Sequence, residues 1–250
     1  RDPVEVDLHL TTEDPPASIH YALDGSWPPS QSPLYESPIT IDVTNVVRAR
    51  SIAPDKVPGE ISTHTYFINA PVHEMPIISL AVDPEIFFGE TLGVYANVHK
   101  GREAPLNLAY YEPNEKLQFQ VNAGVKIGGE NIWRFAQKPL NISLRGKYGD
   151  DAIAYQLFPD LRMANFSRFG LRNGGDNWDD AMLRDAITPR LMHGQMANDV
   201  EDYQPVVVYI NGRYWGIHNL RSSLDPNYFA SRHQVDPDNY DHLEYDHITR

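Results

Sequence analysis

The sequence of 250 residues contains no cysteine. A disulfide framework, a thiolate metal site and a cysteine nucleophile are therefore excluded. No apolar run comes near the ~20 residues that a membrane-spanning helix needs, so no span is expected. Basic residues are scarce as well: 21 Lys and Arg stand against 34 Asp and Glu, for a net charge of −13. The few cations are scattered, whereas binding nucleic acid needs Lys and Arg gathered on one surface. No nucleic-acid partner is expected. Acidity of this kind keeps a surface solvated, and a surface adapted to high salt or divalent cations is the second reading. The chain starts Arg1-Asp2-Pro3, with no methionine and no signal-type apolar segment behind it. That start reads as a processed or excised fragment whose targeting information is lost.

What is abundant points to β-structure. Twenty prolines and 14 tyrosines, with few long amphipathic runs, favour short strands joined by many turns. The length suits one large domain or two modest ones, and the pattern divides it in two. Residues 4–10 alternate apolar and polar, and residues 19–23 do so again before the turn dipeptide Asp24-Gly25. Further short strands are expected over 39–43, 46–52 and 62–68, so residues 1–70 should form a small antiparallel β-sandwich. Pro71 and Pro76 bracket a linker. The second domain, 77–250, opens with the buried-strand run Ile77-Ile78-Ser79-Leu80-Ala81-Val82 and a helical turn capped by Asp83-Pro84.

Three segments of the second domain carry chemistry. Gly124-Val125-Lys126-Ile127-Gly128-Gly129 and Leu140-Asn141-Ile142-Ser143-Leu144 read as two strands, with Lys138 entering the second. A nucleotide site needs flexible backbone near phosphates and a cation to neutralise them. Gly128 and Gly129 with Lys138 or Arg134 meet that need, although a Gly-Gly turn and a surface lysine are equally ordinary in β-proteins. Next, Leu171-Arg172-Asn173-Gly174-Gly175-Asp176 leads into a helix that Asp179 or Asp180 should cap. Met182, Ile187 and Leu191 recur at helical spacing, and Pro189 should kink or stop the helix. Asp185 is placed to pair with Lys138, or to stand as an exposed ion pair. The acidic cluster Asp176, Asp179 and Asp180 suits a hard cation such as calcium, yet a capping loop explains the same residues and the EF-hand pattern is absent. Third, Val206, Val208 and Ile210 alternate into Asn211-Gly212, a type I′ turn, and a return strand follows to Leu220-Arg221. Tyr209 and Trp215 read as core. Ser223 should cap a last short helix, and Asp236, Asp238 and Asp241 form a solvated turn or a weak metal site. Asn141 and Asn165 begin Asn-x-Ser acceptor patterns for N-glycosylation. In order, a glycine-rich strand pair, a lysine-bearing strand, a helix, a hairpin and a connector make the layout of a kinase's nucleotide-gripping lobe.

Two resemblances add to this reading. Ile19-His20-Tyr21-Ala22-Leu23-Asp24-Gly25-Ser26-Trp27-Pro28 and Ser32-Pro33-Leu34-Tyr35 resemble the fibronectin-III-like module that closes chitobiase and hexosaminidase enzymes. That implies a spacer or accessory unit of a secreted or envelope protein, with Trp27 packing a turn or stacking a sugar. From Pro76 onward the chain resembles the CotH kinase family, known from spore coats. The resemblance rests on Gly93-Val94-Tyr95, Gly124 to Gly129, Gln137-Lys138-Pro139-Leu140, Phe169-Gly170-Leu171-Arg172-Asn173, Leu183-Arg184-Asp185-Ala186 and Tyr209-Ile210-Asn211-Gly212-Arg213-Tyr214-Trp215-Gly216-Ile217. It implies an α+β architecture, in which the antiparallel β-sandwich precedes a β-rich, kinase-like N-lobe with a truncated C-lobe. It also implies transfer of the ATP γ-phosphate to protein serines with magnesium or manganese.

Carried over residue by residue, Lys138 would contact phosphate and Asp185 would sit on the orienting helix. Gly128, Gly129, Arg134 and Arg221 would belong to the nucleotide site, and Arg172 and Asn173 to its edge. Leu220-Arg221 would be the connector under adenine. The catalytic and metal-binding aspartates of such a fold lie in the second lobe, so they are expected beyond Arg250, with Asp241 and Asp246 poor substitutes. Two positions depart from the family pattern. Ser222 stands where a glutamate is usual, and Glu130, in Gly128-Gly129-Glu130-Asn131, would repel phosphates. Two readings therefore stay open. One is a piece of a secreted or envelope CotH-type protein kinase acting on serine-containing proteins. The other is a non-catalytic surface or adhesion protein on the same scaffold, binding glycan, calcium or a cell-surface partner.

Overall fold

A computed structural model describes residues 2–9, 16–129, 132–159, 161, 163, 165–178, 180–181, 183–192, 194–195, 198–236, 239, 241–244 and 247–249. It is β-rich with few helices, as expected, and divides into two compact units. The first comprises residues 1–122 and 206–217, the second residues 123–205 and 218–250. Glu130, Asp179, Asp238 and Asp246 lie outside the described residues, as do the side chains of Asp176 and Asp185.

In the first unit, β1 (Val4–Val6) pairs antiparallel with β3 (Ile39–Ile41). Strands β2 (Ser18–Ala22), β4 (Asn45–Ile52) and β5 (Ser62–Tyr66) form a second antiparallel sheet, with β4 in the middle. Alternation places Val6, Ile39, Ile41 and Val47 in one buried cluster with Ile68, so the two sheets share a core. Strand β6 (Ile77–Val82) is buried at every residue, as its unbroken apolar run predicts. Helix α1 (Pro84–Phe88) follows, its first N–H groups held by the Asp83 carboxylate (2.9 Å to Glu85 N) and Pro84 in its first turn. Strand β7 (Glu103–Tyr111) pairs antiparallel with β6, and β8 (Leu117–Ile127) runs on into the second unit.

The second unit adds β9 (Leu140–Ser143), the short pair β10 (Ile153–Ala154) and β11 (Asn165–Phe166), and β12 (Arg168–Arg172). Helix α2 (Arg184–Met192) precedes β13 (Tyr203–Ile210) and β14 (Arg213–Ser222), which each contribute residues to both units. Helix α3 (Pro226–His233) and the pair β15 (His242–Glu244) and β16 (His247–Thr249) complete it. β9 pairs with the end of β8 on one side and with β12 on the other, and β12 pairs with the end of β14. Val125, Ile127, Leu140, Ile142, Phe169, Leu171 and Leu220 share the buried face of these four strands. The opposite face carries one row, Lys126, Asn141, Gly170 and Arg221, in register across all four.

Several local expectations need correcting. Helix α2 does not stop at Pro189 but continues to Met192. Of its expected apolar positions, Ile187 and Leu191 are exposed and Met182 lies outside the described residues, while Ala186 takes the buried place. The cap of α3 is Asp225, which accepts from Tyr228 N at 3.0 Å, rather than Ser223. Leu220 and Arg221 lie inside β14 instead of forming a connector, because β12 extends the ladder as far as Ser222.

Side chains at the end of the N-terminal module meet the strands that follow within the first unit. Phe67 packs edge-on against Tyr111 and Tyr209, at ring-centroid distances of 5.2 and 5.3 Å, in one cluster with Ile77, Ala109 and Val207. Tyr209 belongs to β13, which runs parallel to β6 from Val207↔Ile77 to Ile210↔Leu80. The hydroxyls of Thr65 and Ser79 lie 2.8 Å apart, and Gln120 Nε2 donates to the Thr63 carbonyl at 2.7 Å.

Candidate functional site

The polar face of the four-strand sheet opens into a cleft of about 390 Å³, within the range of small-molecule sites. One wall is the β8–β9 connection, with Gly128, Gly129, Ile132 and Pro139; the other is the Arg172–Asn177 segment after β12, and Asn141 lies between them. A Cβ on Gly128 would push the Asn141 amide aside, and Gly129 holds φ at 121°, a conformation that favours glycine at the second position. The far wall is shaped by Asn173, only 6% exposed. Its Nδ2 donates to the Gln137 carbonyl, and its Oδ1 accepts from Gly175 N at 3.2 Å. This single side chain ties the two walls together and supports Gly174 and Gly175 at φ of 83° and 46°. Asn173→Ala should therefore destabilise the protein by about 1–3 kcal/mol, since it removes two hydrogen bonds to half-buried backbone groups, each contributing about 0.5–1.5 kcal/mol; urea denaturation measures it, and a change near zero would detach Asn173 from this role.

The expected site residues divide. Gly128, Gly129, Arg172 and Asn173 line the cleft. Arg134 ends the 3-10 turn Ile132–Arg134 and is exposed. The Lys138 ammonium turns back onto that turn, donating to the Phe135 carbonyl at 2.8 Å and the Ile132 carbonyl at 3.4 Å, and burial lowers its pKa. Lys138 thus supports the turn that walls the cleft. Arg221, 3% exposed, lies in register with Gly170, its guanidinium 3.9 Å from the Glu201 carboxylate and 5.7 Å from the Tyr203 ring centroid. Asp185 lies in the first turn of α2. Asp180 makes an exposed ion pair with Arg184 at 3.0 Å. Among the described residues no three His, Asp or Glu side chains converge as a metal site would require. Trp27 is 42% exposed. A second cavity of about 520 Å³ lies along α2 and is lined mostly by apolar side chains, among them Leu183, Ile187, Leu191 and Pro205, with Arg190 and Gln204 at its polar part.

The sequence profile of the CotH kinase protein family matches residues 125–249, that is, 125 of the 250 residues. The chain belongs to the CotH kinase protein family. An Fn3 associated profile matches residues 8–66, the N-terminal module. No curated protein matches the chain. The CotH match begins inside β8 and takes in every residue of the cleft.

Asn141, Gly174, Gly175 and Asn177 are cleft residues that the sequence did not mark as such. Asn141 had a legible signal: it is the outward position in Leu140-Asn141-Ile142, three residues from Lys138. Its glycosylation pattern drew attention elsewhere, and a glycan there would have to leave a strand paired on both sides. Asn165, in β11, is exposed.

Proposed function

We propose that this chain carries the nucleotide-holding part of a CotH-type atypical protein kinase, with ATP phosphates in the Gly128–Asn177 cleft. The protein it belongs to would transfer the γ-phosphate to serines of protein substrates, in the cell envelope or outside the cell. The observation that carries this reading is the cleft itself. Two glycines leave backbone open to close approach by an anion, and Arg172 brings a guanidinium whose fork matches phosphate oxygens. Both walls lie in the segment that the CotH family match covers. The cleft suits the phosphates better than the metal that would accompany them. Its described lining contains no carboxylate, so no residue is assigned to magnesium, manganese or calcium.

ATP binding should raise the melting temperature, because a ligand held only by the native state stabilises it by about 2.7 kcal/mol at a hundred times Kd. For a chain of this length that is a rise of roughly 5–10 °C. Arg172→Ala should weaken ATP binding about tenfold or more, the loss of one charge-assisted contact of ~1.5–3 kcal/mol. An unchanged melting temperature at millimolar ATP would sink the nucleotide reading. Phosphate incorporated into serine tests the transfer step separately. One feature favours the alternative, a non-catalytic scaffold. Ser222 has its hydroxyl occupied by Asp202 N at 2.8 Å, while its own N–H donates to the Asp202 carbonyl at 3.2 Å. That position serves structure here, and a missing ATP response would leave the scaffold reading standing.

A further inference from the structure

At the tip of the β13–β14 hairpin, Asn211 and Gly212 hold φ at 51° and 76°, as a type I′ turn requires. Turn chemistry accounts for the backbone but not for the side chain. Val82 N–H donates to Asn211 Oδ1 at 2.9 Å, and Asn211 Nδ2 donates to the Val82 carbonyl at 2.8 Å. These two bonds add a rung to the β6–β13 ladder beyond the bond from Asn211 N to the Leu80 carbonyl. Against the same amide lies Gly25 of the Fn3-associated module, so close that a Cβ at Gly25 would coincide with it. Gly25 is held in turn: its φ is 88°, and its carbonyl accepts from Arg48 Nη1 at 2.8 Å. Arg48 is 4% exposed, and burial pushes its pKa down to about 10 against the opposing pull of Asp83 and Asp24.

We propose that the Asn211 amide is a latch that locks the Fn3-associated module onto the β6–β13 strand pair, so that the module's folding is coupled to that parallel pairing. Strand β6 receives both bonds, and the module's Asp24-Gly25 turn closes over them. The interaction surface is thus a turn shaped around one carboxamide, and its partner is a hairpin of the same chain. The inference stands apart from the nucleotide reading and does not depend on it.

A double-mutant cycle in the full chain tests it. Asn211→Gly keeps a residue that tolerates positive φ and removes only the amide. Gly25→Ala adds a methyl group at positive φ in either background, so backbone strain cancels between them. Gly25→Ala should lower the melting temperature by roughly 5–10 °C in the native sequence. It should lower it by less than about half that when Asn211 is already glycine. Equal shifts in both backgrounds would overturn the latch. Should Gly25→Ala fail to fold, hydrogen exchange on Asn211→Gly alone decides. The Val82 amide should exchange roughly 5–10-fold faster after losing its acceptor, with a rise in the amides of β4 as well if the module is coupled. Unchanged β4 exchange would refute the coupling.

Discussion

Replacing Gly212 by alanine should destabilise the protein by roughly 2–5 kcal/mol and lower its melting temperature by about 5–15 °C. Two effects add. With φ at 76°, a Cβ carries the left-handed penalty of ~1–2 kcal/mol. The methyl group would also lie 2.6 Å from Asn45 Cα, 2.8 Å from the Thr44 carbonyl oxygen and 3.0 Å from Asn45 N. All three are backbone atoms at the start of β4, so no side chain can rotate away, and overpacking of this kind costs ~1–3 kcal/mol. Gly194→Ala separates the two effects, because Gly194 has φ of 74° and nothing among the described residues within 4 Å of a built Cβ. It should show the strain alone. Chemical denaturation of both variants measures the difference, and equal losses would mean that the hairpin tip does not press on the module.

Phe67→Ala should cost about 3–5 kcal/mol, the usual range for emptying a buried phenylalanine site. Phe67 is 3% exposed and meets Tyr111 and Tyr209 edge-on, with interplanar angles of 88° and 74°. Each such pair contributes ~0.5–1.5 kcal/mol beyond area burial. Collapse around the void is limited, because Ile77, Ala109 and Val207 on three adjacent strands are fixed by their ladders. Phe67→Leu refills most of the volume and should lose the aromatic part only, about 1–3 kcal/mol for the two pairs. The cluster spans the end of the module and the strands that follow, so the loss should appear in signals from both. A separately melting module, with the signals of β6 and β7 unmoved, would show that the cluster does not couple the module to those strands.

Much of this architecture was legible residue by residue. Alternation over Val206, Val208 and Ile210 marked β13, Asn211-Gly212 marked its turn, and Asp83-Pro84 marked the start of α1. Each signal is short-range, arising within a few residues through side-chain periodicity, positive φ or an N-cap. The errors share a cause as well. Ser223 and Asp225 are both capable caps, and the one that wins depends on where β14 releases the chain, which β12 sets. Leu220-Arg221 looked like a connector because nothing local says that a strand ten residues long will stay paired to its end.

The candidate site shows the same division. Local pattern marked Gly128, Gly129, Arg172 and Asn173 as chemistry-bearing and was sufficient, with motif order, to mark the family. It did not reveal that Asn141 stands between the two walls, that Lys138 faces its own turn, or that Asn173 bonds to Gln137 36 positions away. Those facts belong to strand register, which brings residues distant in sequence into one row on a shared face. Composition and spacing constrain each strand's two faces. Which strand lies alongside, and at what offset, is settled only when both strands bury their apolar faces together, since a slip of one residue would turn the exposed Lys126 and Asn141 into the core.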